Sequence, residues 1–279
     1  MIDLHSHTVC SDGTLTPAEL VSAAAEAGLR ALAITDHDNV DAFDRLPDDL
    51  LGVELVVGVE LSLTWARGNL HLLGYHIDPQ HAELRAVLAN QQARRRERNA
   101  TMVERLNAAG FAVTMEQLDR LAGGEQIGRP HMAQAMVELG AVSNIYQAFE
   151  RYLADDSPLY VPREDLSPSD AIELVHAAGG AAVLAHPCQT RLSPADLADT
   201  LSRWVAKGLD GLEVYYPQHT PRQRRLYRDL ATRWRLVMTV GSDFHGATKP
   251  GVHLGRVPGR VPDDDTLLTS LRQAASRWQ

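Results

Sequence analysis

The residue types that bind metals fall in five short clusters, each where an apolar run begins or ends. They read Asp3-Leu4-His5-Ser6-His7 with Asp12 close behind, Thr35-Asp36-His37-Asp38, Gly58-Val59-Glu60-Leu61-Ser62 followed by His71, Ala185-His186-Pro187, and Gly241-Ser242-Asp243-Phe244-His245-Gly246. One such cluster means little. Five in one chain point to a polynuclear metal site, because imidazoles and carboxylates gathered at one end of a sheet need cations to balance them. His5 and His7 alternate by two, so both face the same side of an extended segment and can grip one cation. Asp243 and His245 repeat that spacing, and Glu60 can bridge two cations through its two oxygens. With Asp12, His37, His71 and His186 the set is large enough for three metals. His81, His176 and His253 read as ordinary surface or core histidines, and Cys10 and Cys188 as small buried thiols.

Strands and helices have to position these groups. Runs rich in Val, Ile and Leu at 2–5, 31–35, 55–61, 70–76, 181–185, 211–215 and 236–240 predict seven strands. Their near-continuous apolar character suits parallel strands buried on both faces. Between them, Thr16-Pro17, Ser167-Pro168, Ser193-Pro194 and Thr220-Pro221 each place a hydroxyl cap before Pro at a first helical position. Gly28, Gly179 and Gly208 fall where the helices should stop. The alternation predicts a closed or nearly closed (β/α) barrel, with an open doubly wound sheet as the alternative. Ligands then belong at the carboxyl ends of the strands, and all the clusters sit there except His71, which begins its strand.

Residues 80–165 break the rhythm. No core strand is evident, and helices are expected at 82–109, 114–121, 131–139 and 144–153. The chain therefore divides into a barrel (1–79 and 166–279) and a helical insertion (80–165) capping the barrel mouth. At 279 residues, with 44% hydrophobic content, it can bury a full core. The formal net charge of −9 argues against coating long nucleic acid, though a local basic patch could hold a small phosphorylated ligand. The chain passes almost at once into its first histidine motif with no basic-then-apolar stretch, so no signal segment is expected; no run approaches a membrane span, and two cysteines imply no disulfide framework. A cytoplasmic setting, with no membrane partner, is expected.

The ordered motifs H-x-H, a following acid, T-D-H-D, G-x-E, H, A-H-P and G-S-D-x-H resemble the PHP family, named for polymerase and histidinol phosphatase. The resemblance covers the chain outside the insertion. It implies a distorted (β/α)7 barrel and a trinuclear site using manganese, with iron or zinc as alternatives. Carried onto this sequence, one metal takes His5, His7, Glu60 and Asp243, and a second shares Glu60 with His71 and His186. The third takes Asp12, His37 and His245. Six positive charges then meet three carboxylates and a bridging hydroxide, leaving an excess of about two that matches a phosphomonoester dianion. A metal-bound water with its pKa lowered to roughly 7 would be the nucleophile.

Within the insertion, Gly128-Arg129-Pro130-His131 sits at a predicted helix start, where Arg129 suits phosphate binding. In the Arg94-Arg95-Arg96 run, followed by Arg98 and Asn99, the arginines cannot all face one way. Arg98 and Asn99 are expected at the barrel mouth and Arg95 in water. These features resemble a subgroup with a G-R-P-H signature. The resemblance implies a phosphoric monoester hydrolase removing the 3′-phosphate of nucleoside 3′,5′-bisphosphates, with Arg129 and His131 holding the second phosphate. The alternatives are a 5′→3′ exoribonuclease on short 5′-phosphorylated oligonucleotides, a histidinol phosphatase, or a non-catalytic structural module. Tyr215, Tyr216 and His219 follow a strand where they could stack on a base or protonate the leaving oxygen, or simply pack. Asp36 is a candidate catalytic residue that could orient His37, as could Asp38, or either could serve only in the turn.

Overall fold

All seven apolar runs form strands: β1 (Ile2–Asp3), β2 (Ala31–Ile34), β3 (Glu54–Ser62), β4 (His71–Tyr75), β5 (Ala181–Leu184), β6 (Gly211–Tyr215) and β7 (Val237–Val240). They come from a computed structural model that describes residues 1–65, 69–122, 124, 126–154, 156–162 and 165–279. The strands pair in chain order. The segment after β1 then bonds to β7 and to the loop beyond it: Leu4 N–H donates to the Val240 carbonyl at 2.9 Å, and Asp243 N–H to the His5 carbonyl at 2.8 Å. This makes a nearly closed seven-stranded barrel.

One strand runs against expectation. β4 is antiparallel to both β3 and β5. A continuous apolar run reports burial on both faces and carries no information about direction. The reversal pairs Ser62, at the carboxyl end of β3, with His71, and Leu184, at the carboxyl end of β5, with Leu72. His71 begins its strand and still arrives at the ligand end of the barrel.

Among the described residues the α-helices are α1 (Pro17–Glu26), α2 (Ala82–Ala108), α3 (Met115–Ala122), α4 (Arg129–Glu138), α5 (Ile145–Ala148), α6 (Pro168–Ala177), α7 (Pro194–Val205), α8 (Pro221–Trp234) and α9 (Asp264–Ala275). The hydroxyls of Thr16, Ser167, Ser193 and Thr220 each accept a backbone N–H from the first turn of α1, α6, α7 and α8, so these starts form as the sequence predicts. The segment expected as one helix over 144–153 is instead α5 followed by a π-turn, Phe149–Leu153. The pattern reading missed α9, which Asp263 caps and which buries Leu267, Leu268 and Leu271 against the barrel. None of the described helices is long and apolar enough to cross a membrane.

α2 joins two cores. Leu84 and Leu88 lie in the barrel core, whereas Met102 and Leu106 lie in a second cluster with Leu118, Met132, Met136 and Leu153. Each buried leucine contributes about 1.5–3 kcal/mol, enough to seat the first half of the helix firmly. Arg95 strengthens this junction, reaching inward to the fully buried Asp38 and to Ser62 Oγ at 2.9 Å. This corrects the placement of Arg95 in water. Its side chain answers a buried carboxylate that would otherwise be costly to leave unpaired.

Candidate metal centre

Glu60 stands at the middle of the ligand end of the barrel, fully buried and ringed by imidazoles. Its Oε1 lies 2.9 Å from His71 Nδ1 and 2.8 Å from His186 Nε2. Its Oε2 lies 3.1 Å from His5 Nε2, 3.2 Å from His7 Nε2 and 3.2 Å from His37 Nδ1. Asp243 Oδ1 is 3.3 Å from His7 Nε2 and 3.6 Å from His5 Nε2. At the rim, Asp12 Oδ1 is 3.2 Å from His245 Nε2, and Asp12 Oδ2 is 4.0 Å from His37 Nε2. The structure thus brings all nine ligands named from sequence to one place.

Eight of the nine supply donor atoms to three overlapping sets, each within 4.8 Å: His5-His7-Glu60-Asp243, His37-Glu60-His71 and His7-Asp12-His37-His245; His186 lies outside these sets and reaches the cluster through Glu60 Oε1. Relative to the arrangement expected from sequence, His7 also reaches the Asp12 set and His37 also reaches Glu60. His7 Nε2 and His37 Nδ1 are buried without a hydrogen-bond partner, although carboxylate oxygens lie close by. Buried nitrogens orphaned in this way, facing hard oxygen donors, fit divalent cations such as Mn, Fe or Zn.

Without cations, protons have to do the balancing. Burial alone would lower the pKa of His7, but hydrogen bonds to Asp243 and Glu60, with the charges of Glu60 and Asp12, push it up to about 9. Burial likewise opposes protonation of His5, and Glu60, Glu213 and Asp243 overcome it, holding His5 well above the usual range. Burial prevails at His37, whose pKa falls well below the ordinary value despite Glu60 and Asp12. The carboxyls of Glu60 and Asp243 also resist burial and sit well below the usual range, held there chiefly by His37 and His5 in one case and by Lys249 and His5 in the other.

The backbone is bent to present these groups. His186 and Asp243 have positive φ values of 21° and 57°, a conformation costing about 1–3 kcal/mol outside glycine. Each is tied down, His186 N–H by Glu213 Oε2 at 2.6 Å and Asp243 N–H by the His5 carbonyl. Gly241 is needed for a different reason: a Cβ there would stand 2.2 Å from His5 Cβ. Any side chain would drive the ligand away.

Glu213 was missed from sequence. It is buried on β6, where its Oε1 lies 2.9 Å from His5 Nδ1 while its other oxygen holds the His186 backbone. It therefore fixes which ring nitrogen His5 turns to the cluster. An acid inside Gly211-Leu212-Glu213-Val214-Tyr215 was the available signal. Glu213→Gln should weaken metal affinity or turnover by about 10–100-fold, read by metal titration; an unchanged affinity would remove this orienting role.

Several other expectations need correcting. Tyr215 is buried in the barrel core, and Tyr216 is the one that reaches the site, donating to Asp243 Oδ2 at 2.9 Å. The strand is irregular between Glu213 and Tyr215, which shifts the alternation along β6. His219 is buried rather than exposed at the site: its Nδ1 bonds the Val214 carbonyl at 3.0 Å, and burial lowers its pKa to about 4. It packs against Tyr216 and Tyr227. Asp36 lies outside the three donor sets and accepts from Thr8 N, Thr8 Oγ1 and Ser11 Oγ, anchoring the loop that carries Asp12. Asn99 braces the cap through the Ile127 carbonyl at 2.9 Å, and His131 accepts from Gly128 N–H at the start of α4. Burial holds the Cys188 thiol up at about 11, so it stays protonated.

Above the cluster lies a cavity of about 260 Å³, with Asp12, His37 and His71 on its wall beside Arg95, Arg98 and Arg129. Arg98 bonds the Val161 carbonyl at 2.7 Å and Arg129 the Leu153 carbonyl at 3.0 Å. Both guanidinium groups lie over the Tyr160 ring. A second compartment of about 750 Å³ shares Asn69, Arg129 and Phe149 with the first.

Comparison with known proteins agrees with this geometry. The model of the PHP domain matches residues 3–138, which hold the ligands up to His71. A 5′-3′ exoribonuclease Rnm of Escherichia coli (strain K12) is 38% identical, covering 91% of this chain and 88% of its own. A 3′,5′-nucleoside bisphosphate phosphatase of Chromobacterium violaceum is 33% identical, covering 94% and 93%. A crystal structure from Bifidobacterium adolescentis, assigned as a metal-dependent phosphoesterase, superposes with a TM-score of 0.83 at 35% identity, over 98% of this chain and 96% of that one. With a shared barrel and near full-length similarity, this chain belongs to the PHP family of metal-dependent phosphoesterases.

Proposed function

We propose that this enzyme hydrolyses the phosphate ester at the 3′ oxygen of a 5′-phosphorylated nucleotide, releasing a 5′-mononucleotide. In a nucleoside 3′,5′-bisphosphate the departing oxygen leaves an inorganic phosphate behind. In short 5′-phosphorylated RNA the same bond breaks, and the phosphate stays on the shortened chain. In both cases a water oxygen bonds to phosphorus, the P–O3′ bond breaks, and the leaving oxygen takes up a proton.

The observation that carries this reading is the mouth of the barrel. There Arg98 and Arg129 share a cavity with three ligands of the cluster. A phosphate reacting at the floor and a second phosphate held by these guanidiniums fit a substrate with two phosphates. His5, His7, Asp12, His37, Glu60, His71, His186, Asp243 and His245 would hold three divalent cations, with manganese the expected one. Such cations supply Lewis acidity and make water acidic enough to attack at neutral pH. Glu213 orients His5, and Tyr216 steadies the far oxygen of Asp243. The second compartment favours the longer substrate, because a mononucleotide needs only the first.

The test is a product analysis with Mn²⁺ on adenosine 3′,5′-bisphosphate, 3′-AMP, histidinol phosphate and a short RNA bearing either a 5′-phosphate or a 5′-hydroxyl. The expected outcome is 5′-AMP from the bisphosphate and 5′-mononucleotides from phosphorylated RNA, with the 5′-hydroxyl RNA a poor substrate. Equal rates on both RNAs, or turnover of histidinol phosphate alone, would overturn the reading.

A further inference from the structure

The compartment beyond Arg129 has features that a mononucleotide enzyme would not require. Its wall includes Asn69, Arg129, Phe149, Tyr146, Gln189 and Arg191. Tyr146 is 76% exposed, an aromatic side chain left unpacked beside the active site. Phe149 opens the π-turn, a wide helical turn often found where function requires it. That turn ends at Leu153, whose carbonyl holds the Arg129 guanidinium shared by the two compartments.

Arg191 lies on the loop that begins with His186 and has a left-handed φ of 56°. The loop is braced rather than slack. Thr190 Oγ1 donates to the Pro187 carbonyl at 2.8 Å, and Trp65 Nε1 donates to the Thr190 carbonyl at 3.1 Å. A cation is therefore presented from a fixed loop one short segment away from a metal ligand. Glu150 and Asp156 also line the compartment, so its two arginines do not make it strongly positive. Selection there has to come from stacking and one placed charge, which suits a nucleotide base with a single phosphate.

We infer that this compartment seats the nucleotide on the 3′ side of the scissile phosphate, its base against Tyr146 and Phe149 and its next phosphate at Arg191. The inference rests on the reading of the site as a nucleotide phosphoesterase and makes short RNA, rather than the bisphosphate, the substrate for which the surface is built.

The experiment compares wild type, R191Q and Y146A on adenosine 3′,5′-bisphosphate and on a 5′-phosphorylated adenosine trinucleotide. Both side chains are exposed, so thermal unfolding should match wild type. The ratio of kcat/KM for the trinucleotide to that for the bisphosphate should fall about tenfold in each variant, in line with the loss of one stacking or charge contact. An unchanged ratio in both variants would overturn the inference. A second arm measures binding of a fluorescent 5′-phosphorylated trinucleotide to metal-free protein, where each variant should bind several-fold more weakly. Wild type that cleaves neither substrate would sink the hydrolytic reading, while variant-sensitive binding would still support the groove. Variant-insensitive binding would remove the groove whatever the turnover.

Discussion

Glu60→Gln should lower turnover on the order of 10³-fold or more and strip most of the bound metal. Glu60 lies against five of the proposed ligands. Its two oxygens face five imidazoles, two on one side and three on the other. Gln keeps the shape but replaces one oxygen with a donor and removes the charge. An amide nitrogen cannot accept from an imidazole or bind a cation, so at least one of the two metal positions sharing Glu60 would lose a ligand. The same change removes a charge that holds His5 and His7 protonated in the metal-free protein. Elemental analysis and kcat in saturating Mn²⁺ should therefore fall together. A variant with full metal content and near-normal kcat would overturn the bridging role.

The second large effect concerns pH. Metal-stripped protein should be most stable near pH 6.5 and lose stability on either side. His7 titrates near 9 in the fold against 6.5 when unfolded, so its contribution is present below 6.5 and is lost as pH rises through 9. That shift corresponds to about 3 kcal/mol, and His5 acts in the same direction. His219 has the opposite sign. Its pKa falls to about 4, so its contribution is present above 6.5 and disappears as pH falls through 4. His37 adds to that acid limb, since burial lowers it too.

Binding Mn²⁺ should abolish the alkaline limb, because cations replace the protons and bind better as imidazoles deprotonate. Urea midpoints at pH 6.5 and 9, with and without chelator, measure both effects. Metal-free stability that is flat or rising between those pH values would contradict the proton-for-metal exchange.

The strands and the gathering of the candidate ligands were legible because both are written locally. Apolar runs mark the barrel strands, and the alternate-residue pairs His5-His7 and Asp243-His245 need only a short stretch to make sense. The direction of β4 was not legible, since an apolar run looks the same in either direction. Which of Tyr215 and Tyr216 enters the site was not legible, because the irregular pairing between Glu213 and Tyr215 breaks the period of two along β6. His219 looked like an available acid in sequence, and only burial and the Val214 carbonyl reveal a neutral ring. Arg95 was assigned to water because its partner, Asp38, lies 57 positions away in the chain. Glu213 escaped notice because a lone acid in a strand gains meaning only from the two histidine-bearing segments it touches.

The reversed β4 also sets the reach of the cap. Running antiparallel, it delivers the chain to the end of the barrel opposite the candidate ligands, and the chain must climb back. α2 makes that climb in one piece, its 27 residues spanning roughly 40 Å. Arg95 and Arg98 therefore stand at a height measured by helical rise, as marks on a rigid ruler whose zero is fixed by Leu84 and Leu88. Each turn inserted or deleted below them would move those guanidiniums by about 5.4 Å relative to the cluster. Change in this part of the chain is thus quantised: loops can drift in length, but the helix beneath the arginines can change only by steps that retune the distance between those guanidiniums and the histidine cluster.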